Sequence, residues 1–138
     1  MIKNKFEFHV ENVSQVEKIP SESDLKLWVD AALLNDADDI SIRVVDEAES
    51  AALNLQFRDK QGPTNVLAFP YENEDNKVSG DIVICAALVE NDQQWPHLTV
   101  HATLHLQGYD HYKDEEAETM ETLEAEILSK LGYSNPYE

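Results

Sequence analysis

Three of the chain's five histidines lie within eleven residues, at a spacing suited to metal binding. His101 and His105 are four residues apart, so on a helix they are offset by roughly 40° and project toward one point. Gly108 follows one turn later, where a residue that tolerates positive φ can end the helix and reverse the chain. This reversal could bring His111 to the same point. Three imidazoles would then fill three corners of a tetrahedron and leave the fourth for water, as in a catalytic zinc site.

This spacing, His-x3-His-x5-His with a glycine between the last two histidines, equals the metal motif of the metzincin proteases. In those proteases a glutamate follows the first histidine and acts as general base. Ala102 stands at that position here, so the metal frame is predicted without the protease's base. His97 precedes His101 by one helical turn. We do not expect it to be a ligand, because a fourth protein ligand would close the zinc site.

Four short apolar segments are typical of β-strands. Apolar and polar residues alternate over residues 6–10 and 40–44, which predicts two half-buried strands. Residues 66–69 and 81–85 predict a third and a fourth strand, the third ended by Pro70. Strands come early and long helices late, so the predicted class is α+β with a small sheet of about four strands. The alternation of short helices with strands leaves an α/β arrangement open.

Helical periodicity predicts four helices, whose ends carry recognisable signals. Ser21, with Asp24 three residues later, resembles a capping box and predicts the start of the first helix. Asp46 is predicted to cap a short second helix. The apolar side predicted for that helix carries Ala48, Ala51, Ala52 and Leu55. The other predicted boundaries are Pro96 and Gly108 for the third helix, and Asp114 and Leu131, followed by Gly132, for the fourth.

The charge of the chain limits how it could bind a nucleic acid. There are 28 acidic and 10 basic residues, a net charge of −18, which excludes a broadly basic nucleic-acid clamp. Residues 110–126 contain eight acidic residues and one lysine, so −7 of this charge lies on one late segment. Residues 53–70 carry Arg58 and Lys60 against Asp59, or +1. A polyanion would therefore be held locally, at a small positive island to which a zinc ion would add +2.

Length, cysteine content and hydropathy set further bounds. A chain of 138 residues predicts one domain, residues 1–138. Cys85 is the only cysteine, so no internal disulfide can form, which is typical of a reducing cytoplasm. The first ten residues contain no signal-peptide pattern, and the longest apolar run, residues 82–89, is too short to cross a bilayer. We expect a cytoplasmic protein without a membrane partner.

Three sequence blocks, in one order, resemble the YbeY family. The stretch from His101 to His111 is similar to that family's signature His-Gly-x-Leu-His-Leu-x-Gly-Tyr-Asp-His, with Ala102 in place of the usual glycine. The resemblance extends from about Leu53 to Gly132. The other matching positions are Leu53-Asn54, Phe57 to Lys60, Pro63 to Pro70, Gly80 to Ile84, Met120 and Glu124.

The YbeY family consists of bacterial zinc-dependent endoribonucleases, and the resemblance implies the same activity here. It implies hydrolysis of single-stranded RNA in 16S ribosomal RNA maturation and ribosome quality control, with the small ribosomal subunit as partner and no action on DNA. It implies one zinc ion per chain, bound by His101, His105 and His111, with Arg58 as a functional residue beside the metal. The family fold is a small mixed sheet with helices packed on it, which agrees with the predicted order of elements.

The residues of the second block suit phosphodiester chemistry. Arg58 offers a planar fork that matches phosphate oxygens, and Lys60 adds a point charge. Asn65 could bond a substrate, although the Thr64-Asn65 pair at a turn is more often a local backbone cap. Asp110 could orient a ligand imidazole or cap the next helix. No general base is evident, so either water or the RNA 2′-hydroxyl could be the nucleophile.

Two other functions are compatible with the same metal frame. One is a zinc peptidase of metzincin type, against which Ala102 argues. The other is a ribosome-assembly factor without catalytic activity, in which the metal supports the fold. The spacing does not select the metal, because three imidazoles also suit nickel, copper or cobalt.

Overall fold

Four strands and four helices make up the described part of the chain, residues 5–72, 76–109 and 114–137 of a computed structural model. In chain order they are β1 (Glu7–Asn12), α1 (Glu22–Ala32), β2 (Ala37–Val45), α2 (Glu47–Arg58), β3 (Val66–Pro70), β4 (Val78–Cys85), α3 (Gln94–Leu106) and α4 (Asp114–Lys130). A short 3-10 turn, Ala86–Leu88, follows β4. None of the helices in these ranges is long and apolar enough to cross a membrane.

The strands form one mixed sheet in the order β1-β2-β4-β3. β1 runs parallel to β2, because α1 connects them and returns the chain to the same end of the sheet, and β2 runs parallel to β4, with α2 and β3 between them in the chain. β3 pairs antiparallel with β4, since only residues 71–77 connect them. The α+β class and the four-stranded mixed sheet are therefore confirmed.

One face of the sheet packs against α1 and α3, and α4 packs on these two helices to complete the main core. The strands contribute β-branched residues at alternate positions, which point to this face as the pleat requires. These residues are Ile40, Ile42 and Val44 of β2 and Ile82 and Ile84 of β4, all at most 1% exposed. α3 is the central helix of the layer, because it contacts α1, α4, β3 and β4.

A close approach of three elements depends on Gly80 in β4. A β-carbon at this position would lie 2.5 Å from the carbonyl oxygen of Phe69 and 2.6 Å from Cδ2 of Leu106. Any side chain here would push β3 and the end of α3 away from β4. The glycine thus keeps the end of α3 tight against the β3 edge of the sheet.

Both predicted helix starts are confirmed, but a side-chain cap bond forms at only one of them. The prediction for Ser21 is confirmed, because its hydroxyl accepts a hydrogen bond from the backbone N–H of Asp24 at 3.1 Å. Asp46 is the N-cap residue of α2, so the predicted start of that helix is confirmed, but its side chain makes no cap bond to α2. Its carboxylate instead accepts the backbone N–H of Gln15 at 2.9 Å, which joins the start of α2 to the segment after β1.

The buried side of α2 is also different from the one predicted. Its buried residues are the polar Ser50 and Asn54, whereas Leu55 is 54% exposed. The Ser50 hydroxyl donates to the carbonyl of Thr64 at 2.7 Å, and the Asn54 amide donates to the carbonyl of Gly62 at 2.9 Å. These two residues are buried because they satisfy the backbone of the loop between α2 and β3. They fix that loop relative to Arg58.

Candidate metal centre

The exposed edge of α3 consists of histidines. From Trp95 to Leu106 every residue is buried except His97, His101 and His105, which are half-buried. The three are spaced by four residues and therefore lie along one side of the helix. Packing on all other sides of α3 leaves these imidazoles a single direction in which to project.

The imidazoles of His101 and His105 face each other with their Nε2 atoms. Their Nε2 atoms are 3.0 Å apart, with ring centroids 4.5 Å apart. Two nitrogens bound to one tetrahedral zinc ion at about 2.0–2.1 Å would be about 3.3 Å apart. The pair is thus within a few tenths of an ångström of the spacing that a shared zinc ion requires.

Behind His101 lies the carboxylate of Glu124 from α4, which is fully buried. Oε1 of Glu124 lies 2.5 Å from Nδ1 of His101, and Oε2 lies 3.1 Å from Nε2 of His97. Tyr137 donates its hydroxyl to Oε2 at 2.6 Å. Burial alone would raise the pKa of Glu124, but the hydrogen bonds with His101 and His97 lower it to about 2. The carboxylate is therefore ionised at neutral pH.

An ionised carboxylate determines the tautomer of the histidine beside it. Since Glu124 can only accept, Nδ1 of His101 carries the proton and donates to Oε1. Nε2 of His101 then presents its lone pair toward His105. A carboxylate that holds a ligand imidazole in this way is a common second partner at zinc sites.

The described residues offer ligand atoms on both sides of His101. On the α4 side, His97, His101 and Glu124 could hold a metal ion, since one ligand atom of each lies within 4.8 Å of the others. On the opposite side, His101 and His105 provide the converging Nε2 pair. His111 and Asp110 lie outside the described residues.

The Nε2 pair faces a cleft that other predicted residues share. The cleft has a volume of about 540 Å³, and its lining includes His101, His105, Arg58 and Asn65. Arg58 is the last residue of α2, and Asp59 ends the helix in the left-handed conformation with φ 54°. Lys60 is exposed and is not among the described residues that line the cleft. The fold therefore brings an arginine and two imidazoles to one cavity.

Comparisons with known proteins assign this chain to a family. The family model described as endoribonuclease YbeY matches residues 3–132. The chain belongs to the YbeY family. It is also similar to the solution structure of TM1509 from Thermotoga maritima, with 25% sequence identity and a TM-score of 0.52. That similarity covers 95% of this chain and 99% of the other. The resemblance predicted from the three sequence blocks is confirmed.

In this YbeY-family chain, sequence reasoning missed the role of Glu124. The signal that could have revealed it is a glutamate within the apolar side of a helix. Met120, Ile127 and Leu128 are buried on the same side of α4, at spacings of four and three residues from Glu124. Glutamate is almost never fully buried unless it is paired, so its place in this stripe indicates buried donors nearby. Tyr137, the third hydrogen-bond partner of this carboxylate after His101 and His97, lies beyond the residues that the family model matches.

Proposed function

We propose that this protein is a zinc-dependent, single-strand-specific endoribonuclease that acts in 16S ribosomal RNA maturation and ribosome quality control. The observation that carries the proposal is the shared cleft, in which Arg58 lines the same cavity as the converging imidazoles of His101 and His105. The family description as an endoribonuclease supports hydrolysis of RNA. We further propose that residues 1–138 act as one domain in the cytoplasm, with the small ribosomal subunit as partner.

For the metal, we propose one zinc ion per chain, held by His101, His105 and His111. Neutral imidazole nitrogens are suitable zinc donors, and the 3.0 Å between the two described Nε2 atoms supports a shared ion. Glu124 is better suited to hold His101 than to bind metal, because its Oε1 already lies within hydrogen-bond distance of Nδ1 of His101. A bound zinc ion would supply Lewis-acid stabilisation of the phosphoryl oxygens and would acidify a water molecule.

The protein's own residues would bind and orient the RNA. The guanidinium of Arg58 can donate two parallel hydrogen bonds to one phosphate and neutralise its charge. Asn65, which also lines the cleft, would donate to the same nucleotide. Lys60 lies outside the cleft on the same loop, so it would reach a neighbouring phosphate. Few phosphates would then be contacted, which is compatible with an acidic protein.

The residue after the first histidine, which is the general base in metzincin proteases, does not support the peptidase alternative. Ala102 is 1% exposed and carries no titratable atom. Among the carboxylates of the described residues, Glu124 contacts the α3 histidines, and it contacts His101 on the side away from the cleft. A general base for peptide hydrolysis would have to come from outside the described residues.

Metal removal tests the proposed function directly. We expect purified protein to contain about one zinc ion per chain and to cleave an unstructured RNA, but neither duplex RNA nor single-stranded DNA of the same sequence. Dialysis against a chelator should abolish cleavage, and added zinc should restore it. Circular dichroism before and after dialysis would verify that the metal-free chain remains folded. Full cleavage by metal-free protein would refute the proposal.

Replacing Glu124 with glutamine should weaken zinc binding by about tenfold, since partners of metal-bound histidines commonly contribute 10–100-fold to affinity. The amide can still accept the Nδ1–H of His101, but it lacks the charge that makes the imidazole a stronger donor to zinc. Competition with a chromophoric chelator would measure the change. Glu121→Gln is the matched control, because this residue lies on the same helix and is exposed. Equal zinc affinity in both variants would contradict the role of Glu124.

A further inference from the structure

The segment after α4 folds back onto the metal centre. α4 ends in a reversal at Gly132, which has φ 93°, and the N–H of Tyr133 returns to the carbonyl of Leu128 at 2.9 Å. The ring of Tyr133 packs edge-to-face on Trp28 of α1, with centroids 6.3 Å apart. We call residues 133–137 the C-terminal strap. Because Tyr133, the first residue of the strap, packs in the core, the end of the strap lies near α3.

The far end of the strap contacts the buried carboxylate. An Asx-type bond from the N–H of Tyr137 to Oδ1 of Asn135, at 2.8 Å, turns the tyrosine inward. The Tyr137 ring packs edge-to-face on His97, with centroids 5.6 Å apart, and its hydroxyl donates to Oε2 of Glu124 at 2.6 Å. A side chain beyond the end of the family match thus completes the surroundings of Glu124.

The two carboxylate oxygens of Glu124 have different hydrogen-bond partners. Oε1 accepts from His101, while Oε2 lies against His97 and Tyr137. Two partners on Oε2 fix the plane of the carboxylate, so that Oε1 remains aligned with Nδ1 of His101. Without the hydroxyl, Oε2 would be held by His97 alone. The carboxylate could then rotate, and the imidazole of His101 would lose a fixed orientation.

We infer that Tyr137 is a positioning residue for the metal centre, acting through Glu124 on His101. The hydroxyl would keep His101 in the tautomer whose Nε2 faces His105, so that less ordering is needed when a metal binds. Tyr137 itself does not line the cleft that holds Arg58, so it would have no part in binding RNA. This inference rests on the proposed metal position.

The test compares two tyrosine-to-phenylalanine variants in the full chain. Tyr137→Phe removes the hydroxyl and keeps the ring that packs on His97. Tyr71→Phe is the matched control, because the Tyr71 hydroxyl also donates to a carboxylate, that of Asp81, and Tyr71 is similarly exposed. Zinc affinity would be measured by chelator competition. The tautomer of His101 would be read in both proteins from long-range proton–nitrogen NMR spectra of the imidazoles.

We expect Tyr137→Phe to lower zinc affinity by about fivefold, below the 10–100-fold typical of groups that contact a ligand directly. The Nδ1–H tautomer of His101 should also lose population, and Tyr71→Phe should match the wild type in both measurements. Zinc affinity within twofold of wild type for Tyr137→Phe would overturn the inference, even if its melting temperature fell. An equal loss in Tyr71→Phe would overturn it as well. A wild-type protein that binds no zinc would overturn both this inference and the proposed metal position.

Discussion

Replacing His101 with alanine is expected to leave a folded protein that binds no zinc and cleaves RNA at least about 10³-fold more slowly. His101 is the residue at which the interactions of the centre meet, since Nδ1 contacts Glu124 and Nε2 contacts His105. Its loss removes a proposed ligand and leaves Oε1 of the buried Glu124 without this donor. We expect that unpaired oxygen to cost about 1–3 kcal/mol of unfolding free energy.

Zinc content by elemental analysis, RNA cleavage and thermal unfolding would be measured together for His101→Ala. His9→Ala is the control, because His9 lies on β1, at the far edge of the sheet from β3, and its side chain is 62% exposed. This control should retain both zinc and activity. If His101→Ala bound one zinc ion and cleaved RNA at the wild-type rate, the α3 histidines would not form the active centre.

Replacing Arg58 with alanine should leave a folded, zinc-loaded protein that cleaves RNA about 10²–10³-fold more slowly, the usual cost of losing a charge-stabilising donor. Arg58 is exposed at the end of α2 and belongs to no described ion pair, so its removal should not alter stability. The loss should therefore appear in cleavage and not in zinc content. Arg58→Lys should fall between wild type and alanine, because an ammonium keeps the charge but not the fork.

This variant also separates the nuclease from a ribosome-assembly factor with a structural metal. Lys26→Ala is the control for loss of one positive charge, since Lys26 is exposed on α1 and pairs only with Asp30 four residues later among the described carboxylates. Cleavage at the wild-type rate by Arg58→Ala would remove Arg58 from the proposed mechanism. A normal phenotype with Arg58→Ala, together with unfolding on zinc removal, would favour the assembly factor.

Local signals predicted most of the elements of the fold, because the groups involved are close in sequence. The Ser21 cap needs only the backbone three residues ahead, and Gly132 ends α4 through its own positive φ. Alternation predicts the first two strands and short apolar runs predict the other two, but β4 begins at Val78, earlier than the predicted Asp81. Its first residues pair with β2, beginning with Ala37, a partner that local alternation does not reveal.

The predictions were wrong where a polar side chain forms a hydrogen bond to a segment outside its own helix. Asp46 stands at the start of α2, yet its carboxylate accepts from Gln15, which is distant in sequence. Ser50 and Asn54 are buried in α2 because they bond the loop that follows Arg58, whereas apolar Leu55 is exposed. Hydropathy ranks side chains by their cost of leaving water, and it does not record a hydrogen bond that offsets this cost.

The sequence by itself determined the histidine spacing, the order of the elements and the membership of the YbeY family. Residues four apart on a helix share a face whatever surrounds them, so His101 and His105 could be paired in advance. Only the tertiary structure decided that Glu124, 23 residues from His101, would hold its Nδ1, and that Tyr137 would hold Glu124 in turn. These contacts depend on how α4 and the C-terminal strap pack across α3, and long-range packing leaves no periodic signal in the chain.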